Sequence, residues 1–292
     1  MAVPGAGPSP PRSADEVVAL AARAYERDRY LTALLAPAEH RGGLLAIAAF
    51  AGEVGRIPAT VSEPLLGAIR LQWWRDTVDA FPAGLRSGHP VADALGAAQR
   101  RYGLPVGLLH GVIDGQEIGL SADPPADEAA LRTHFAKTEG ALFELASRVL
   151  AGEEPPWAVR EGLLAAGRAC GLARLLVELP ALTAERRTLV PETTLKAAGL
   201  SAGALYDGPP RPALDAIVAA IVGEARRELS AARGALSSAA RPFRLAALPL
   251  ALVEPYLAVS QRAGRDPLLT VADLVPLTRV VRLFWAHSTG RL

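Results

Sequence analysis

The amino-acid sequence predicts an all-α fold, and three observations lead to this class. The chain is rich in Ala, Leu, Arg and Glu, which are good helix formers. Alternating runs of Val, Ile and Thr, the pattern of half-buried strands, are hard to find. Proline and glycine divide the chain into segments of helix length. With 292 residues, half of them hydrophobic, the chain is long enough to bury a sizeable core.

The helix boundaries follow from capping residues and helix breakers. Ser13 followed by Glu16 is a capping box, which predicts a first helix from Ser13 toward Leu35. Ser62-Glu63-Pro64 is a favourable N-terminus, and Pro155-Pro156 opens a long helix. In chain order, helices are predicted at about 13–35, 38–54, 62–80, 90–101, 105–119, 127–150, 156–179, 212–237, 243–262 and 272–287.

The domain organisation is predicted to be simple. A proline-rich segment at 208–212 is the clearest interruption, but the helical pattern is alike on its two sides. We therefore predict one domain over 14–292, preceded by a flexible tail at 1–13.

Charge and cysteine content exclude several classes of protein. The chain has 31 basic and 30 acidic residues, a net charge of +1, which predicts no nucleic-acid partner. Cys170 is the single cysteine, so neither an intrachain disulfide nor a multi-cysteine zinc site can form, and a reducing, cytoplasmic location is predicted. No charge-free apolar run reaches the length of a transmembrane helix, which leaves peripheral membrane contact possible.

Common catalytic motifs do not occur in the sequence. The five histidines form no HExxH pair, and there is no GxSxG, GxGxxG or P-loop sequence. The segment Leu71-Gln-Trp-Trp-Arg-Asp76 is unusual, because Trp73 and Trp74 point about 100° apart on a helix. They form either core packing or part of a cavity wall.

A series of segments, in order over about 15–290, resembles the squalene/phytoene synthase family. The segments are Asp28–Pro37, Leu44–Phe50, Ser62–Asp76, His89–Leu95, Ile113–Leu120, Lys137–Ala141, Gly171–Leu176 and Arg187–Pro191. This resemblance implies an isoprenoid-synthase-like helical bundle around a central cavity. It also implies that active relatives condense two prenyl diphosphates head to head.

The resemblance fails where the metal ligands of active relatives would lie. Those enzymes need two D-x-x-x-D motifs, because residues at i and i+4 share one helical face and can grip one Mg²⁺. Counting from Ala49-Phe50, the first pair of Asp positions falls on Gly55 and Ala59. Counting back from the segment that begins at Arg187, the second pair falls on Glu178 and Leu182. Active relatives also usually have Asp where Gly119 stands.

The loss of both Asp motifs leads to three hypotheses about function. The first is a non-catalytic protein with a retained apolar cavity, because a divergent branch that lacks these motifs resembles the respiratory complex I assembly factor. This interpretation implies no catalytic residue, metal or cofactor, with complex I subunits as possible partners. The alternative is an active Mg²⁺-dependent prenyl-diphosphate transferase in which acids such as Asp76, Asp79, Glu117 and Glu178 hold the metal. A third hypothesis is a lipid or isoprenoid carrier without a role in assembly. The predicted location is cytoplasmic, with a peripheral position at the inner membrane possible, and the assembly role implies its cytoplasmic face.

Candidate ligand-binding residues follow from family positions and helix faces. Arg56 is the most informative, because a guanidinium at the first motif would bind a diphosphate directly, without metal. The full set of candidates is Arg56, Arg70, Gln72, Trp73, Trp74, Glu117, Arg174 and Glu178.

Overall fold

The computed structural model describes residues 13–292 except Ala122 and Ala263, so the tail predicted for 1–13 lies outside the described residues apart from Ser13. The described residues form α-helices joined by turns and short 3₁₀ segments, with no β-strand among them, which confirms the all-α prediction. The helices are α1 (Ala14–Tyr25), α2 (Arg27–Leu35), α3 (Ala38–Gly55), α4 (Ile57–Thr60), α5 (Pro64–Asp79), α6 (Pro90–Tyr102), α7 (Val106–Asp114), α8 (Glu128–Phe135), α9 (Ala141–Ala151), α10 (Trp157–Ala184), α11 (Glu192–Ala197), α12 (Ala202–Tyr206), α13 (Arg211–Leu236), α14 (Arg241–Ala246), α15 (Val253–Ser260) and α16 (Pro276–Thr289).

The first predicted helix is two helices in the structure. The capping box is confirmed, since the Glu16 amide donates to Ser13 Oγ at 3.2 Å and the Ser13 amide donates to Glu16 Oε2 at 3.0 Å. The helix ends at Tyr25, however, because Glu26 leaves the helical region with φ −131° and ψ 57°. This break directs the Glu26 carboxylate into the interior, where an arginine of α10 binds it.

Other predicted helices are interrupted by tighter or wider turns. The helix predicted at 105–119 becomes 3₁₀ over Gly115–Leu120, and the one predicted at 127–150 contains a π-helical turn at Ala136–Gly140. The helix predicted at 243–262 is divided by a 3₁₀ segment at Leu248–Leu252. The long helix α10 continues past Pro180 to Ala184, and three short helices, α4, α11 and α12, have no counterpart in the prediction.

The π-helical turn packs closely against α10. A Cβ on Gly167 would lie 2.2 Å from the backbone nitrogen of Gly140, so only glycine permits this approach.

Two main hydrophobic clusters fill the interior. One is centred on α10 and α13, and the other on α3, α6 and α7 together with parts of α1, α5 and α9. The central cavity described below is lined by members of both clusters.

The helix α16 packs on α2 and on the 3₁₀ segment at Leu248–Leu252. It is held there by Arg279, which is only 4% exposed. The Arg279 guanidinium donates to Asp28 Oδ1 at 2.9 Å, to the Leu274 carbonyl at 3.0 Å and to the Tyr256 hydroxyl at 2.9 Å. Over the range that the structure describes, no helix has the length and apolar character needed to cross a bilayer.

Candidate functional site

A central cavity of about 460 Å³ lies between α1, α3, α8 and α10. The side of the cavity formed by α3 and α4 includes Gly55 and Ala59, and the side formed by α10 includes Glu178 and Leu182. The four positions that the sequence assigns to the Asp motifs therefore all line one cavity. Gly119, the fifth position, also lines it.

The residues at these positions do not fit a Mg²⁺ ion. Glu178 is the one carboxylate among the five, and glycine, alanine and leucine side chains offer no oxygen ligand. Throughout the described part of the chain, no group of three or more His, Cys, Asp and Glu side chains is placed to hold a metal ion. Gly119 faces a cation instead, since a Cβ there would lie 3.1 Å from the Arg187 guanidinium.

A ring of ion pairs lies beside the metal positions. Arg174 binds Glu26 through two hydrogen bonds, of 2.5 and 2.8 Å, and its Nε lies 3.5 Å from Glu139. Glu139 is bound by Arg29 at 2.5 Å, and Arg29 Nε lies 3.4 Å from Glu26, which closes the ring. The π-helical turn brings Glu139 to this place, and the break after α1 brings Glu26. Two positive and two negative charges thus neutralise each other in the interior.

A second cavity of about 390 Å³ adjoins the central cavity at the ring. Glu26, Glu139 and Arg174 line both cavities, whereas Arg29 lines only the second. The second cavity extends toward Tyr256 and Arg279. The two cavities therefore adjoin at these paired charges.

Burial and neighbouring charges shift several pKa values around the cavity. Burial alone would raise the pKa of the Glu139 carboxyl, but Arg174 and Arg29 hold it below its ordinary value. For Glu178, burial prevails over the attraction of Arg174 and raises the pKa. Burial lowers the pKa of His134 to about 4, so this imidazole is neutral at physiological pH.

Cys170 lies on α10 and lines the second cavity. Burial raises the pKa of its thiol to about 12, with Glu139 adding to the effect. A thiol of this kind is not a nucleophile at neutral pH, because the thiolate is the reactive form.

Three of the eight predicted binding residues line the central cavity: Arg56, Arg174 and Glu178. Arg174 and Glu178 are one turn apart on α10. The Arg56 guanidinium stacks over the Tyr25 ring, 4.4 Å from its centroid, and donates a hydrogen bond to the Tyr25 hydroxyl. Arg56 has no carboxylate partner within ion-pair distance among the described residues, so its charge is available to the cavity.

The structure does not bring the other five candidates to the cavity, and four of them lie on α5. Trp74 is buried against Phe50, with the ring centroids 5.2 Å apart. Trp73 is 41% exposed and contacts His89. Arg70 donates to Thr60 at 3.2 Å, and Gln72 donates to Asp76 at 2.7 Å.

The fifth, Glu117, binds Arg75 at 2.5 Å on the outer surface. The acids proposed as substitute metal ligands are also engaged elsewhere. Asp76 accepts from Gln72, and Asp79 lies 2.8 Å from His110.

Several cavity residues were missed by sequence reasoning. Gln116 faces the cavity in place of its neighbour Glu117, because the 3₁₀ segment changes which side chains share a face. Tyr25, His134 and Arg187 also line the cavity. A signal for Arg187 was present, since it begins the last segment of the family resemblance. Tyr25 and His134 carried no such signal.

The chain is similar to several known proteins. A family model described as squalene/phytoene synthase matches residues 22–281. The NADH dehydrogenase (ubiquinone) complex I assembly factor 6 of Bos taurus is 33% identical over 128 residues, which are 44% of this chain and 38% of that protein. The bifunctional protein CrtB/UppS of Streptomyces coelicolor is 32% identical over 211 residues, which are 71% of this chain and 36% of that protein. The matched parts thus span less than half the length of either relative.

A solved structure has the same fold at low sequence identity. The squalene synthase HpnC from Alicyclobacillus acidocaldarius superposes with a TM-score of 0.74 at 17% identity, covering 87% of this chain and 95% of that one. The molecule is thus an isoprenoid-synthase-type helical protein with a central cavity. The chain belongs to the squalene/phytoene synthase family.

Proposed function

We propose that this protein is a non-catalytic member of the family, which keeps an interior cavity for ligand binding and acts in the assembly of respiratory complex I. One observation carries the non-catalytic part: the four metal positions line the cavity as Gly55, Ala59, Glu178 and Leu182. A prenyl diphosphate needs its negative charge neutralised before diphosphate can leave, which is the role of Mg²⁺ in the family. A single carboxylate, 4 residues from an arginine on the same helix, is a poor ligand set for that ion.

The assembly role is supported by relatives that are named as assembly factors of complex I. The cattle, human and rat proteins named complex I assembly factor 6 match this chain at 29% to 33% identity. The proposed partners are accordingly subunits of complex I, and the proposed place of action is the cytoplasmic face of the membrane that holds it.

A gene deletion in the source organism tests the assembly role. We expect membranes of the deletion strain to lose fully assembled complex I on native gels and to lose NADH:quinone reductase activity. A plasmid copy of the wild-type gene should restore both. Normal complex I in the deletion strain would refute the proposal.

The second candidate function is a Mg²⁺-dependent head-to-head prenyl-diphosphate transferase, favoured by the match to CrtB/UppS over 71% of this chain. An assay of inorganic pyrophosphate release from farnesyl and geranylgeranyl diphosphate, with Mg²⁺, decides between the two. We expect no release above background, with an active squalene synthase assayed in parallel as the positive control. Sustained turnover that requires Mg²⁺ would establish the transferase.

A further inference from the structure

The outer face of α16 is apolar although it faces solvent. Leu277, Val280, Val281, Phe284 and Trp285 follow the i, i+3, i+4, i+7, i+8 spacing of a single helical stripe. Their exposed fractions lie between 48% and 70%. Large apolar side chains grouped in this way mark a surface that meets an apolar partner.

This apolar stripe is not required for the fold. The opposite side of α16, with Leu283 and Ala286, is the side that enters the core. Arg279 fixes the helix through its buried hydrogen bonds with Asp28 and Tyr256. The helix is thus held rigidly by one face while the other face is presented preformed to the outside.

Unpaired positive charge flanks the stripe. Between Leu274 and Leu292 the sequence contains three arginines and no acidic residue. Arg279 is buried and bound by Asp28 and Asp273, which leaves Arg282 and Arg291 as the flanking charges. Arg282 and Arg291 form no ion pair within the described residues, and neither do the nearby Arg241 and Arg244. Arg244 lies against the end of the helix, 3.6 Å from where Gly290 would carry a Cβ.

We propose that α16 docks this protein on a bilayer that contains anionic phospholipid. A helix whose stripe includes Phe and Trp, flanked by arginines, has the composition of an interfacial helix that lies in the plane of the membrane. A second copy of the chain fits less well, because a twofold interface would bring the arginines that flank one stripe close to those that flank the other, with no acidic residue in either helix. The proposal concerns the surface alone, so its failure would leave the proposed role in assembly standing.

Vesicle sedimentation with the full chain tests the proposal. We expect binding to vesicles of phosphatidylcholine with 30% phosphatidylglycerol, and weaker binding to phosphatidylcholine alone. The double variant Val280→Glu/Phe284→Glu should reduce binding at least tenfold. The matched control is Leu65→Glu/Ile69→Glu, which places the same charges on the exposed apolar residues of α5 and should bind as the wild type does.

The charges and the insertion depth are tested separately. Arg282→Ala and Arg291→Ala should each weaken binding to the anionic vesicles about fivefold, an effect that added salt should mimic. Brominated lipid should quench tryptophan fluorescence, and the conservative variant Trp285→Phe, which does not threaten folding, should remove most of the quenching. Equal binding by all variants, or quenching that persists without Trp285, would overturn the proposal. So would a dimer in light scattering that the Val280/Phe284 variant converts to a monomer.

Discussion

At the scale of single residues, the ring of Glu26, Arg29, Glu139 and Arg174 is the dominant feature of the interior. Buried ion pairs add little net stability, because the loss of hydration offsets much of the attraction between the charges. Removing one member is costly, however, since it leaves a buried charge without a partner. Three of the four residues are less than 10% exposed, so the ring belongs to this costly class.

Glu139→Gln should therefore destabilise the protein strongly. We expect the free energy of unfolding to fall by about 3 kcal/mol, because Arg29 and Arg174 then share Glu26 as the one remaining carboxylate of the ring. The surface pair of Glu192 and Lys196 is the control, and Glu192→Gln should change the free energy by less than about 0.5 kcal/mol. Urea denaturation measures both. If the two substitutions changed the free energy of unfolding equally, the buried ring would be no more important for stability than a surface ion pair.

His134 provides a prediction about pH. Burial lowers its pKa to about 4 in the folded protein, from 6.5 in the unfolded chain, so the unfolded state binds more protons between these values. The stability that depends on the neutral imidazole is fully present above about pH 6.5 and is lost as the pH falls toward 4. The loss is about 3 kcal/mol at most.

The measurement is the difference between the wild type and His134→Gln in urea denaturation at pH 7, 6, 5 and 4. We expect the variant to have a shallower decline over this interval. Identical slopes for the two proteins would contradict the assignment to His134.

At the scale of elements, the packing of α10 against the π-helical turn depends on Gly167. The turn positions Glu139, so this glycine contributes to the ring indirectly. Gly167→Ala would force a Cβ against backbone atoms and should destabilise the protein by about 2 kcal/mol. Gly234 in α13 has open space where a Cβ would lie, with no atom within 4 Å, so Gly234→Ala should stabilise the protein by up to about 1 kcal/mol. Thermal denaturation measures both variants. A shift of the melting temperature in the same direction for Gly167→Ala and Gly234→Ala would contradict this prediction.

The helices that the sequence predicted well are those whose signals are local. Ser13 and Glu16 cap α1 through contacts three residues apart, and such contacts can be read directly from the chain. The π-helical turn at Ala136–Gly140 and the break at Glu26 are instead associated with tertiary contacts: a glycine contact with α10 and an ion pair with Arg174. No local pattern contains that information.

The candidate site shows the same division. Arg56, Arg174 and Glu178 could be found because family segments fix the place of Arg56 at the end of α3 and of the other two on α10. Trp73 and Trp74 could not be assigned from their 100° separation, since helix periodicity does not say which side of α5 meets the core. Glu117 was assigned to the cavity on the assumption of regular α-helical spacing, which does not hold because the residue lies in a 3₁₀ segment.

At the scale of the whole molecule, the helical bundle of the family encloses a cavity, and Arg56 lines this cavity next to Gly55, the first of the metal positions. We predict that the protein binds farnesyl diphosphate without Mg²⁺, because a guanidinium can bind diphosphate oxygens directly. Calorimetry in the presence of EDTA should detect binding. Arg56→Ala should weaken it at least tenfold, whereas Arg70→Ala, outside the cavity, should leave it unchanged. Binding that appears only after Mg²⁺ is added would contradict this view.

The ring of ion pairs also limits what the interior can hold. A hydrocarbon chain gains nothing by separating four mutually satisfied charges, and their separation without water would be very unfavourable. An elongated guest that enters beside Arg56 would have to part these charges to pass through the ring into the second cavity. We therefore expect the molecule to bind short isoprenoid tails more tightly than long ones.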